Sequence, residues 1–261
     1  LSDGASVDYD DLVADPNTIY YDSTVGNAAP NKIMPSYRMH NHYGAVGAIF
    51  AGKGGVEFAG SMSYSYLSTH PQDATCQDCH MATPTGFTGG HSFRVAYTNE
   101  TGSTTYNFKG CNVPGCHTNM STTNNMWTGI RSTTELLLDS LATYYLVSGG
   151  IEIMHKNTDP ATNPFATVTT AGYDGYLDIY DPSTNPAGAL RNPVTTGWTP
   201  AQIATNLALP KFTSLAKVQF GAIINFQLCL REFSLGVHNP KYSRALLQNT
   251  IEALEASGLY P

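Results

Sequence analysis

The sequence predicts a mainly α protein with much irregular structure and with its long helices at the C-terminal end. Three observations lead there. Helix caps followed by apolar residues at helical spacing concentrate in residues 131–261. Gly, Thr, Asn and Pro clusters punctuate the chain before and between them. Four of the five cysteines lie between residues 76 and 116, and histidine directly follows two of them, so a bound group is expected to organise that stretch.

Residues 1 to about 39 form the first region, rich in Asp, Asn, Pro and Tyr and including Asp8-Tyr9-Asp10-Asp11. They read as an extended N-terminal arm, either disordered or docked, because such a segment buries little by itself. Residues 40–130 hold the cysteine motifs together with His40, His42, His70 and His91. Residues 131–261 are the helical region, with a loop-rich insertion at about 155–198.

Within that last region Ser132 is the expected cap of a helix, with Glu135 as its capping-box partner. Leu136, Leu137, Leu141, Tyr144 and Tyr145 are its expected apolar face, and Gly149-Gly150 its end. Thr199-Pro200 starts a short helix, and Thr213 a longer one that stops near Gly236. Asn239 caps the last helix with Pro240 in its first turn; Leu246, Leu247, Ile251 and Leu254 share one face, and Gly258 ends it.

The cysteine motifs carry the chemistry. Cys76-Gln77-Asp78-Cys79-His80 is a c-type haem attachment sequence: two thiols add across the haem vinyl groups, and the adjacent histidine is aimed at the iron. Cys111-Asn112-Val113-Pro114-Gly115-Cys116-His117 has the same ending with two more residues between the thiols. Asn112 to Gly115 is turn-forming sequence that can loop outward while both sulfurs reach the vinyls. The competing reading, a zinc site using all four cysteines, does not explain the two Cys-His endings. Two covalent haems consume four thiols, and the fifth, Cys229, lies in the apolar run 223–230, where a thiol packs as a small hydrophobe.

A haem that only transfers electrons takes two axial ligands. His80 and His117 are the expected proximal pair. His40, His42, His70, His91, His155 and His238 are candidates for the other side, with Met62 and Met81 as secondary choices. His40 and His42 alternate and so share a face of an extended segment, which suits a metal or haem and equally suits two solvated histidines. His155 reads as an ordinary loop residue.

Ser68-Thr69-His70 ahead of Cys76 to Met81, Gly89-Gly90-His91-Ser92-Phe93, and Gly236-Val237-His238-Asn239-Pro240-Lys241-Tyr242 together resemble the last haem segments of the cytochrome c nitrite reductase and octahaem cytochrome superfamily. The likeness spans roughly residues 40–260 as motifs rather than continuous matching. It implies a multihaem cytochrome c, with His238 as distal ligand of the Cys76/Cys79 haem and His70 as distal ligand of the Cys111/Cys116 haem. It also implies that His91 serves a third haem, for which this chain has no attachment motif. No Cys-x-x-Cys-Lys sequence is present, so the superfamily's nitrite-reducing haem is absent from the chain.

The composition narrows the partners. Net charge is −7 and charged residues are 13% of the chain, which argues against nucleic acid or an anionic membrane. The longest apolar stretch, 215–230, contains Lys217, Gln219, Asn225 and Gln227, so no membrane span is expected. Leu1-Ser2-Asp3-Gly4 is no signal peptide, and an extracellular, periplasmic or cell-surface protein would carry this sequence after processing. Tyr173, Asp174, Asp178 and Asp181 suit calcium only weakly, since they match no defined loop and a plain turn accounts for them.

The expectation is therefore a dihaem electron carrier rather than an enzyme, with other redox proteins or copies of itself as partners. A conductive extracellular filament is its extended form, with His42, His91 or His40 serving a haem across the interface. The rival expectation is a nitrite- or hydroxylamine-type haem reductase with one open axial position. A haem-stabilised adhesive surface protein is a third.

Overall fold

The computed structural model describes residues 44–64, 70–148, 151–152, 154, 172–173, 175, 199–201 and 216–259. Helices dominate their regular structure, the strands are few and short, and irregular chain joins them. The N-terminal arm, His40, His42, His155 and most of the 155–198 insertion lie outside the described residues.

Six α-helices are used below: α1 (Ala45–Phe50), α2 (His70–Asp73), α3 (Cys76–His80), α4 (Ile130–Ser140), α5 (Lys217–Arg231) and α6 (Pro240–Ala256). Four strands form two antiparallel pairs, β1 (Ala96–Thr98) with β2 (Thr104–Tyr106), and β3 (Val147–Ser148) with β4 (Ile151–Glu152). In the first pair Tyr97 faces Thr105, and Asn99 caps the turn by accepting from the Thr101 and Ser103 amides.

The core forms where α5 packs against α6 and α1, with α4 laid on the other side of α6. Phe220, Ile223, Phe226, Leu228, Cys229 and Leu230 are buried around most of the circumference of α5, as a central helix requires. Burial pushes the Cys229 thiol well up from its ordinary pKa, consistent with packing as an apolar group. The polar residues of α5 are not solvated. Asn225 clamps residue 56, accepting from the Val56 amide at 2.7 Å and donating to its carbonyl at 2.8 Å. From α6, Asn249 accepts from the Met62 amide at 3.0 Å and donates to its carbonyl at 2.8 Å. Segment 55–62 is thus strapped onto the helix pair by side-chain amides that substitute for a neighbouring strand. Asn225→Ala leaves half-buried backbone groups of Val56 without these partners, and a loss of about 1–3 kcal/mol in denaturant melts is expected.

The last helix follows its sequence signals. Asn239 Oδ1 accepts from the Tyr242 amide at 3.2 Å, Pro240 opens the helix, and Leu246, Leu247, Ile251 and Leu254 face the core. The other two long helices depart from expectation. Ser132 is not a cap but lies inside α4, because a wide turn over Asn125–Gly129 starts the helical course earlier. A second wide turn over Leu141–Tyr145 extends it, and β3 follows rather than a direct stop at the glycine pair. Such π turns take more than four residues each and rotate the faces. Thr134, Leu138 and Ala142 are buried, as is Leu141 in line with expectation, while Leu136 inside α4 and Tyr144 in the second wide turn stand 66% and 71% exposed. The helix expected from Thr213 begins at Lys217 among the described residues and ends at Arg231, ahead of Gly236. Pro200 and Ala201 are helical, and the continuation of that helix lies outside the described residues.

Candidate haem-binding site

Both cysteine motifs lie at one end of this helical core, on short elements. Thr75 caps α3: Asp78 Oδ2 accepts from the Thr75 amide at 2.7 Å and from its hydroxyl at 2.8 Å. Those hydrogen bonds hold the Asp78 carboxyl below its ordinary pKa. The Thr-x-x-Asp pattern was legible in sequence but was not among the expectations. Helical register brings the His80 amide opposite the Cys76 carbonyl.

The longer motif keeps that closure by other means. His117 N–H donates to the Cys111 carbonyl at 3.2 Å, while Asn112, Val113, Pro114 and Gly115 loop into solvent. Gly115 turns the loop at φ +89°, a left-handed conformation that favours glycine. Asn112 fixes the loop with a paired contact, accepting from the Met120 amide at 2.6 Å and donating to its carbonyl at 3.0 Å.

The two motifs touch. Gly110, the residue before Cys111, lies against the backbone of Asp78 and Cys79. A hydrogen bond from Cys111 lowers the pKa of the Cys79 thiol to about 7, and the same contact with burial pushes Cys111 up. Cys76 and Cys116 are exposed and Cys79 and Cys111 half-buried, all four as free thiols. Among the described residues no three His, Cys, Asp or Glu side chains converge as a metal cluster.

The histidines instead come together in twos. The rings of His80 and His238 are 6.1 Å apart between centroids, with planes inclined by 24°. Those of His70 and His117 are 5.9 Å apart, inclined by 74°. One metal bonded at about 2 Å to a nitrogen of each ring sets the centroids about 6 Å apart. Both centroid separations match that of two rings placed on opposite sides of one iron.

Neighbouring groups fix how three of these rings present themselves. His80 Nδ1 is 3.0 Å from the Phe93 carbonyl, His70 Nδ1 is 3.2 Å from the His238 carbonyl, and His238 Nδ1 is 2.7 Å from Glu232 Oε2. A proton on Nδ1 donating to these acceptors makes Nε2 the unprotonated nitrogen, the one able to ligate a metal. Burial, with the neighbouring His70, holds His117 below its ordinary pKa and so favours the neutral ring that a metal needs.

Among the described residues, the non-glycine residues with positive φ are Phe93 (55°), Phe233 (62°) and Leu235 (55°). The first supplies the carbonyl that His80 faces, and the other two shape the corner that carries His238. Strain of this kind costs about 1–3 kcal/mol per residue, and here it is concentrated around the paired histidines.

The remaining candidates do not join the pairs. His91 is exposed in a single short turn, Gly90–Ser92. Met81 is exposed, and Met62 lies in the strap held by Asn249. Tyr173 is buried, with its hydroxyl donating to Asp139 Oδ1 at 2.9 Å, while Asp174, Asp178 and Asp181 lie outside the described residues. Sequence reasoning missed the roles of Glu232, Phe93 and Asn112, whose partners His238, His80 and Met120 are reached through irregular loops that carry no helical or strand period.

No family model matches the chain, and it finds no match among curated proteins or solved structures. Among the described residues no helix is long and apolar enough to cross a membrane.

Proposed function

We propose that this chain is a dihaem c-type cytochrome that carries electrons outside the cytoplasm. The observation that carries the reading is the pairing of His80 with His238 and of His70 with His117, each at bis-histidine separation and each beside one cysteine motif. Cys76 and Cys79 would hold one haem c and Cys111 and Cys116 the other, with His80 and His117 proximal and His238 and His70 distal. A c-type haem supplies reversible one-electron chemistry at its iron. The protein's part would be to fix His70, His80 and His238 through their Nδ1 acceptors and to hold His117 half-buried beside His70, so that each iron takes two imidazoles. The contact between the motifs at Gly110 supports a closely spaced haem pair.

On this reading the partners are other redox proteins or further copies of the chain. The filament form rests on analogy with extracellular cytochrome filaments and on an N-terminal arm that docks on a neighbour, and micrographs of purified protein showing only monomers would remove it.

Intact-mass and absorption measurements test the main proposal. Two covalent haems per chain, both low-spin and indifferent to cyanide or nitrite, are expected. The inclinations of 24° and 74° further imply two distinct low-spin electron paramagnetic resonance signals. An unmodified chain mass from cells competent in haem attachment overturns the proposal. A high-spin haem that binds nitrite favours a reductase.

A further inference from the structure

We propose that Glu232 is a positioning residue that sets the two haems of this chain at different potentials, making the His80/His238 haem the more reducing of the two. The inference rests on the dihaem reading and assigns a role to a carboxylate that the reading leaves unused.

Glu232 is fully buried immediately after α5. Its Oε2 lies 2.7 Å from His238 Nδ1 and accepts from the Ser234 hydroxyl at 2.6 Å, while Oε1 accepts from the Gly236 amide at 2.6 Å. A buried carboxylate is kept only where its charge is answered, and these contacts aim it at one imidazole. The Arg131 guanidinium is the nearby cation, with Nη1 donating to the Ser234 carbonyl at 3.0 Å rather than to the carboxylate. The Cys229 thiol also faces Glu232 but carries no charge when buried.

The other anchored rings meet weaker acceptors. His80 and His70 give their Nδ1 to the backbone carbonyls of Phe93 and His238. A carboxylate draws the imidazole proton further than a carbonyl does and makes the ligating nitrogen more basic. A more basic ligand favours ferric over ferrous iron, which lowers the potential. The extra electron of a half-reduced chain therefore rests on the Cys111/Cys116 haem, giving transfer within the pair a preferred direction.

Spectropotentiometric titration of the holoprotein tests this with two variants of opposite sign. Glu232→Gln removes the charge, and one midpoint should rise by about 59 mV, equivalent to a tenfold change in a one-electron equilibrium, while the other stays. Ser234→Ala removes a competing donor from the same oxygen, so the same midpoint should fall. Two-haem protein in which neither midpoint responds, or both move together, overturns the role of Glu232. A protein without two covalent haems overturns the cytochrome reading itself. Should Glu232→Gln fail to fold, the sign of the Ser234→Ala shift decides.

Discussion

Replacing His238 with alanine is expected to leave two haems attached while opening the sixth position of one. In the proposed dihaem protein attachment would depend on Cys76, Cys79 and His80, which sit on α3 under their own Thr75–Asp78 cap. His238 reaches the same place from the corner between α5 and α6, and its loss leaves His80 held by the Phe93 carbonyl. About half the haem absorbance should convert from low-spin to high-spin, and that fraction should bind cyanide or carbon monoxide. The variant also deprives the buried Glu232 carboxylate of its 2.7 Å partner, costing about 1–3 kcal/mol in stability. His91→Ala is the control, since His91 is exposed and apart from both ring pairs, and its spectrum should not change. Two low-spin, cyanide-silent haems in His238→Ala would show that a different residue ligates the iron.

How much of this was legible in the sequence depends on whether the signal is local. The Asn239-Pro240 start of α6 and its buried leucines follow from capping chemistry and helical period within a few residues. The two Cys-His motifs are likewise local. Carrying a 3.6-residue period into the second wide turn misplaced Tyr144, which faces solvent, while within regular α4 the buried face runs through Thr134 and Leu138 and leaves Leu136 outside. The polar residues of α5 argued against a membrane span, and no described helix is long and apolar enough to cross a membrane. Nothing nearby in sequence says that Asn225 would clamp Val56, because that partner arrives by tertiary packing.

The site divides in the same way. Each motif marks its own cysteines and proximal histidine. No periodicity relates His70 to His117 or His80 to His238; those pairings were implied only by resemblance, and it is the tertiary fold that brings the rings to 5.9 and 6.1 Å. The hydrogen-bond acceptors behind the rings carried no local signal at all. Positive φ at Phe93, Phe233 and Leu235 is unfavourable for side-chain-bearing residues, so local propensity argues against the turns that the histidine geometry needs.

Gly110→Ala should separate the two motifs more effectively than any change to their cysteines, because attachment chemistry would survive it. A Cβ built at residue 110 would overlap the Asp78 carbonyl oxygen and lie 2.8 Å from Cys79 Cα. Those are backbone atoms, which cannot swing aside as a flexible side chain does, so one motif must move. Overpacking of this order costs about 1–3 kcal/mol and should lower the melting temperature. Cys79 and Cys111 now touch, so the displacement acts on the sulfurs that would tether the two haems beside each other. The haem count should remain two, while the paired Soret circular-dichroism bands that report coupling between adjacent haems should weaken. Gly102→Ala separates this from generic glycine strain: at φ +80° with no heavy atom within 4 Å of the added carbon, it should cost about 1 kcal/mol and leave the Soret couplet intact. A Gly110→Ala protein with the wild-type melting temperature and couplet would mean that the motif contact does not set the haem spacing.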